Sequence, residues 1–145
     1  SMHAPTPPDW TREELEGRLR RPPFNAWLGL QLVDWNADGV TLGLDARPEI
    51  FGHPTVQALH GGVLATLVDV ACSFAVIVRT GESLFTVDMR VDYHRPATAR
   101  AYRVVSQVVR AGKTLATSDA RVMTTEGVLV ASGRAVFQHF PHARS

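Results

Sequence analysis

Leu59-His60-Gly61-Gly62-Val63-Leu64-Ala65-Thr66-Leu67-Val68-Asp69 begins a run, continuing to Val78, in which nearly every residue is apolar or small. A helix made from it has little solvated face and belongs in the middle of a domain, with other elements wrapped around it. Only Thr66, Asp69 and Ser73 interrupt it, and their i, i+3, i+7 spacing puts them on one stripe with Gly62, like the lining of a slot. A carboxylate in so apolar a helix is costly unless paired, hydrated or protonated, and burial favours its neutral form. That suits a general base; the competing reading is an acid paired in the core or at a subunit contact.

The glycines favour the base. At a helix start they let a ligand approach the backbone closely, and the unpaired N–H groups of the first turn point at it with the helix dipole behind them. Paired glycines alone more often mark a turn into a helix. With an acid two turns further on, His60-Gly61-Gly62 becomes a candidate oxyanion or phosphate site.

Outward from this helix the chain alternates as strands do. Leu30 to Trp35 and Val40 to Ala46 read as a hairpin about Asn36-Ala37-Asp38-Gly39. After the helix, Leu84 to Arg95, Ala101 to Arg110, Thr114 to Met123 and Val128 to His139 read as four more strands, with turns at Ala111-Gly112-Lys113 and Thr125-Glu126-Gly127. Thr11 caps a short helix to about Arg20, and Phe24 to Leu28 forms another short turn of helix. The count predicts an α+β domain, an antiparallel sheet of about six strands around one long helix. In the strand after the helix, Phe85, Val87, Met89, Val91 and Tyr93 share the face expected to pack on it; Thr86, Asp88, Arg90, Asp92 and His94 share the other.

Residues 10–140 form this single domain, between a Pro-rich, disordered or loosely packed segment 1–9 and a tail 141–145. A net charge of +1 with scattered basic residues leaves no nucleic-acid footprint. The apolar helix has the length of a membrane span, but Gly61, Gly62 and Asp69 argue against one. The lone Cys72 reads as core filler, and with no charged start followed by an apolar run the expectation is a cytoplasmic protein. The six histidines lack metal-ligand spacing, so neither metal nor cofactor is expected. Ser73 has no His on its stripe and Cys72 lies off it, which leaves no Ser or Cys nucleophile with a base.

His60-Gly61-Gly62 followed by Leu67-Val68-Asp69 resembles the central helix of PaaI-type hotdog-fold acyl-CoA thioesterases, within the 4-hydroxybenzoyl-CoA thioesterase-like superfamily. Thr86-Val87-Asp88-Met89-Arg90-Val91-Asp92-Tyr93-His94-Arg95-Pro96-Ala97 is similar to that family's next strand. The resemblance implies a hotdog fold and hydrolysis of an acyl- or aryl-CoA, with Asp69 as general base or nucleophile and the Gly61 N–H polarising the thioester carbonyl. His60, Gly62, Thr66 and Ser73 then lie along the substrate, and Thr86 aligns with a hydroxyl residue that assists the acid in some relatives. Where many relatives carry an Asn before the His, this chain has His53, either a donor in the same role or a loop residue. The phosphates of coenzyme A call for basic residues at the rim, with Arg79 and Arg95 as candidates and Arg100 and Arg103 behind them.

Gly61 and Asp69 are eight residues apart, roughly 12 Å along a helix, too far for one thioester carbonyl to meet both. Two antiparallel helices across a dimer interface bring Gly61 of one chain to Asp69 of the other and create two equivalent sites. The family is similarly dimeric and often tetrameric, so a homodimer assembling to a homotetramer is expected. Two rival readings are a hotdog enoyl-CoA hydratase or dehydratase, which would use a His with an acid, and a non-enzymatic acyl-CoA-binding module.

Overall fold

A computed structural model describes residues 8–141; residues 1–7 and 142–145, most of the expected N-terminal segment and tail, lie outside the described residues. The first helix, α1 (Arg12–Arg20), starts with the hydroxyl of Thr11 accepting from the Glu14 N–H while the Glu14 carboxylate accepts from the Thr11 N–H. A short α2 (Pro23–Leu28) stops at Gly29, whose φ of 83° suits a residue without Cβ. Strands β1 (Gln31–Asn36) and β2 (Gly39–Asp45) form the first hairpin, and a 3-10 turn at Pro48–Ile50 follows. Then come α3 (Gly61–Thr80), β3 (Ser83–Tyr93), β4 (Ala101–Ala111), β5 (Leu115–Thr124) and β6 (Leu129–Phe140).

The six strands pair antiparallel throughout in the order β1-β2-β4-β5-β6-β3, and α3 packs against five of them, β2 to β6. This is the architecture expected from the alternation. Leu67, Val68, Ala71, Cys72, Ala75 and Val76 of α3 are buried against sheet residues that include Leu42, Tyr102, Val104, Val122 and Phe137. Apolar and long enough to cross a membrane, α3 is here the core that the sheet encloses. Gly133 sets how closely they approach: a Cβ there would lie 2.7 Å from the Val68 side chain and 2.5 Å from the Arg90 carbonyl.

One expectation about β3 is corrected. The alternation is not continuous, because the pairing with β6 slips between Thr86 and Asp88 and leaves Val87 as an extra residue, a β-bulge. Before the bulge Leu84 and Thr86 face α3; beyond it Met89, Val91 and Tyr93 do. Phe85 and Val87, expected on the helix, are instead 53% and 54% exposed, with Phe85 against the Phe140 ring. An extra residue inverts the facing of everything before it. With β3 at the sheet edge, its outer backbone has no neighbouring strand among the described residues.

Candidate active site

The start of α3 is held by short-range braces. The Leu59 N–H donates to the Ala97 carbonyl and the His60 N–H to the Ile50 carbonyl, both at 2.9 Å, and Leu59 forms a β-bridge with Phe51. His60 is the N-cap, and its Nδ1 accepts the Gly62 N–H at 2.8 Å. A ring nitrogen that accepts carries no proton, so the neutral ring holds its hydrogen on Nε2. Gly61, the first residue of the helix, keeps an N–H with no acceptor among the described residues. Its carbonyl accepts from the Tyr93 hydroxyl at 2.7 Å, so the end of β3 fixes the same turn.

Two turns along, Asp69 is half-buried rather than enclosed, and its Oδ1 accepts from the Thr86 hydroxyl at 2.7 Å. The bulge makes this possible by turning Thr86 toward the helix, away from the face expected for it. Thr66 and Ser73 share the Asp69 stripe, but each hydroxyl donates to its own helix, Thr66 to the Gly62 carbonyl at 2.9 Å and Ser73 to the Val70 carbonyl at 2.8 Å. Their oxygens can still accept. Beside the stripe, burial, with help from the Asp119 and Asp69 carboxylates, pushes the Cys72 thiol up to about 12, which makes it inert as a nucleophile.

The other candidates divide. His53 sits on an exposed loop and its Nδ1 accepts from the N–H groups of Thr55 and Val56, at 3.1 and 3.2 Å, so within this chain it organises its own turn. Arg79 is paired with Asp38, ten residues beyond Asp69, or about 15 Å of helix. It is not brought to the site. Arg95 is: it lines a pocket with Leu59, Gly61, Leu64, Tyr93 and Pro96. A second, apolar pocket on the other side of the turn is lined by Phe24, Trp27, Phe51, His60, Gly62 and Thr66. The rings of Phe24 and Trp27 stack with centroids 6.1 Å apart, and both are more than half exposed. Arg47 lies over Trp27 and donates to its carbonyl and that of Leu28.

Sequence reading missed Tyr93 as a site residue, because it counted the ring among the apolar positions of β3. The available signal was its place just before the Arg95-Pro96-Ala97 loop whose backbone braces Leu59.

Comparison with known proteins agrees with this geometry. The family model of the thioesterase superfamily matches residues 57–131, from the loop before α3 into β6. A crystal structure of a thioesterase-superfamily protein is 45% identical, with a TM-score of 0.83, covering 89% of this chain and 98% of that one. The medium/long-chain acyl-CoA thioesterase YigI of Escherichia coli K12 is 28% identical over 130 residues, 79% of this chain and 84% of its own. The E. coli PaaI protein, from the phenylacetic acid degradation operon, shares the fold at 18% identity, with a TM-score of 0.81 over 92% of this chain and 95% of its own. The chain belongs to the thioesterase superfamily, as a thioester hydrolase on the hotdog scaffold.

Proposed function

We propose that the protein hydrolyses the thioester of an acyl-CoA to the free acid and coenzyme A, with Asp69 as general base and the Gly61 N–H as oxyanion donor. The observation that carries this reading is the Thr86 hydroxyl on Asp69 Oδ1: it orients the carboxylate and leaves Oδ2 for a water. Water attacks the carbonyl carbon as Asp69 takes its proton, and the oxygen gains negative charge against the Gly61 N–H. The tetrahedral intermediate then expels the thiolate, which receives the proton from Asp69. A backbone donor aimed at that charge is worth about 3–4 kcal/mol in the transition state.

Gly61 and Asp69 stand about 12 Å apart on one helix, which supports a site shared by two chains, Gly61 from one and Asp69 from the other. A homodimer, pairing further into a homotetramer, is the assembly that fits. His60, its Nδ1 engaged by the Gly62 N–H, offers no lone pair to act as a base, which weighs against the hydratase reading. The stacked Phe24 and Trp27 beside the catalytic turn favour an acyl group with a large apolar end, medium-chain or aryl, over acetyl. The name of the relative YigI points the same way.

The test is free-thiol release from acyl-CoAs of graded length and from aryl-CoAs, with Asp69→Asn beside wild type. Release by wild type that falls by orders of magnitude in a folded Asp69→Asn supports the reading. Equal rates in the two proteins would remove Asp69 from the mechanism, and tight binding without release would leave an acyl-CoA-binding module.

A further inference from the structure

The apolar pocket beside the catalytic turn carries one acid. Phe24, Trp27, Ile50, Phe51 and Val63 give it apolar walls, and of the residues that line it only Glu49 and His60 can ionise. The His60 ring, which accepts the Gly62 N–H, is neutral. Glu49 is thus the one charge lining the pocket, and it is negative.

Its place is set from two directions. Glu49 lies in the middle of the Pro48–Ile50 3-10 turn, where the Ile50 N–H donates to the Arg47 carbonyl at 3.1 Å. The Ile50 carbonyl accepts the His60 N–H at 2.9 Å, so the backbone that carries the acid is bonded to the residue before Gly61. Arg47 is the second tether: its Nε stands 3.8 Å from Glu49 Oε2, and its guanidinium carbon 4.8 Å from the centre of the Trp27 ring. The carboxylate therefore sits at the rim beside the aromatic wall, its side chain 61% exposed. Arg47 itself offers little to an incoming group. Its terminal nitrogens are engaged by the Leu28 and Trp27 carbonyls, at 2.7 and 2.6 Å, and it does not line the pocket.

A chain end that enters along the aromatic rings meets apolar surface and then this carboxylate. Apolar walls strip water from a charge and screen it poorly, so a second carboxylate there would face a desolvation cost and repulsion together. A built-in repulsive group rejects a class of ligand that attractive contacts alone would tolerate. We infer that Glu49 determines specificity by excluding acyl groups with a distal carboxylate, the mono-thioesters of dicarboxylic acids, while neutral acyl groups of the same length are admitted. This rests on the acyl-CoA reading above, with the acyl end in the Phe24–Trp27 pocket. Desolvation would penalise a distal ammonium as it penalises a distal carboxylate; Glu49 separates the two by the sign of their charge.

The test is steady-state kinetics on the whole protein with octanoyl-CoA, suberoyl-CoA and ω-aminooctanoyl-CoA, using wild type, Glu49→Gln and Glu49→Lys. Wild type should prefer the ω-amino over the ω-carboxyl thioester in kcat/KM, with octanoyl-CoA ahead of both. An exposed charge pair is worth up to about fivefold in affinity, so the amino-to-carboxyl ratio should fall about three- to tenfold in Glu49→Gln and drop below one in Glu49→Lys. Added salt should shrink the wild-type ratio. A ratio that is the same in all three folded proteins, or a wild type that takes the ω-carboxyl thioester as readily as the ω-amino one, would overturn the assignment. If wild type cleaves none of the three, it is the hydrolase reading that fails. Calorimetric titration with the corresponding thioether analogues still decides the role of Glu49: the same reversal of order across the three proteins supports it, and an unchanged order or no binding rejects it.

Discussion

Thr86 on β3 and Asp69 on α3 are joined by a 2.7 Å hydrogen bond in which the hydroxyl donates to Oδ1 of the carboxylate. A hydrogen bond to a charged group contributes about 1.5–3 kcal/mol. Thr86→Val, which keeps the shape and removes the donor, should lower kcat about 10- to 100-fold with KM little changed. Thr86→Ser should restore most of the rate. Loss of soluble protein in place of loss of kcat would instead assign Thr86 a packing role.

Gly61 allows its N–H to be deleted with little disturbance of the fold. It is the first residue of α3, where proline is accepted, and His60 before it, at φ −57° and ψ 137°, already has the extended backbone that proline requires of its predecessor. The nearest side chain that a Cβ there would meet is Tyr93, at 3.6 Å, an ordinary van der Waals contact. Gly61→Pro should retain the far-ultraviolet circular dichroism of wild type and lose about 10²–10³ in kcat. Refolded as a mixture with Asp69→Asn, it should regain about a quarter of wild-type activity under random pairing, since each mixed dimer holds one intact two-chain site. A mixture as inactive as its components would place both groups of each site on one chain.

Tyr93 fixes the carbonyl of Gly61, the residue whose N–H is proposed as the oxyanion donor. Tyr93→Phe removes one neutral hydrogen bond, with a net value of about 0.5–1.5 kcal/mol. The expected result is a kcat roughly 2- to 12-fold lower while the pH profile keeps its shape. A displaced pH profile would mean that the phenol takes part in proton transfer.

Cys72 supplies a pH dependence of stability with a definite sign. Burial raises its thiol from 9.0 to about 12 in the folded chain, so between those values the folded state holds a proton that the unfolded state has released. Its contribution is complete below pH 9 and is lost as the pH rises toward 12. Urea unfolding of wild type and Cys72→Ala should show a stability difference that is constant below pH 9 and shifts against wild type above it. A native thiol that reacts with iodoacetamide at pH 8 at the rate of a free one would contradict the burial.

The order of elements was legible because local signals agree with it. Thr11 marked a helix start, and apolar stretches separated by glycine-containing turns marked the strands that pair in the centre of the sheet. The helix carrying Asp69 was legible because its apolar residues surround it. What was not legible depends on pairing across the sheet. Alternation in Leu84 to Tyr93 runs unbroken through Val87 in the sequence, and only the register with β6 shows that a residue is left over. Arg79 was linked to the site by its closeness in sequence to the helix, yet a helix carries a residue about 1.5 Å further away with each step, and Asp38 is what it meets. His53 went the same way, toward its own loop, through hydrogen bonds that no spacing announces.

The leftover residue at Val87 has one more effect. Thr86 and Tyr93 are an odd number of positions apart and still point to the same side, which no regular strand allows. The groups that steady Asp69 and Gly61 are thus matched by a phase offset in the strand, and deleting Val87 would let only one of them face α3 at a time. A chain carrying every residue named here but lacking that offset would look like this protein in an alignment and would be unable to bring Thr86 to Asp69 and Tyr93 to Gly61 together.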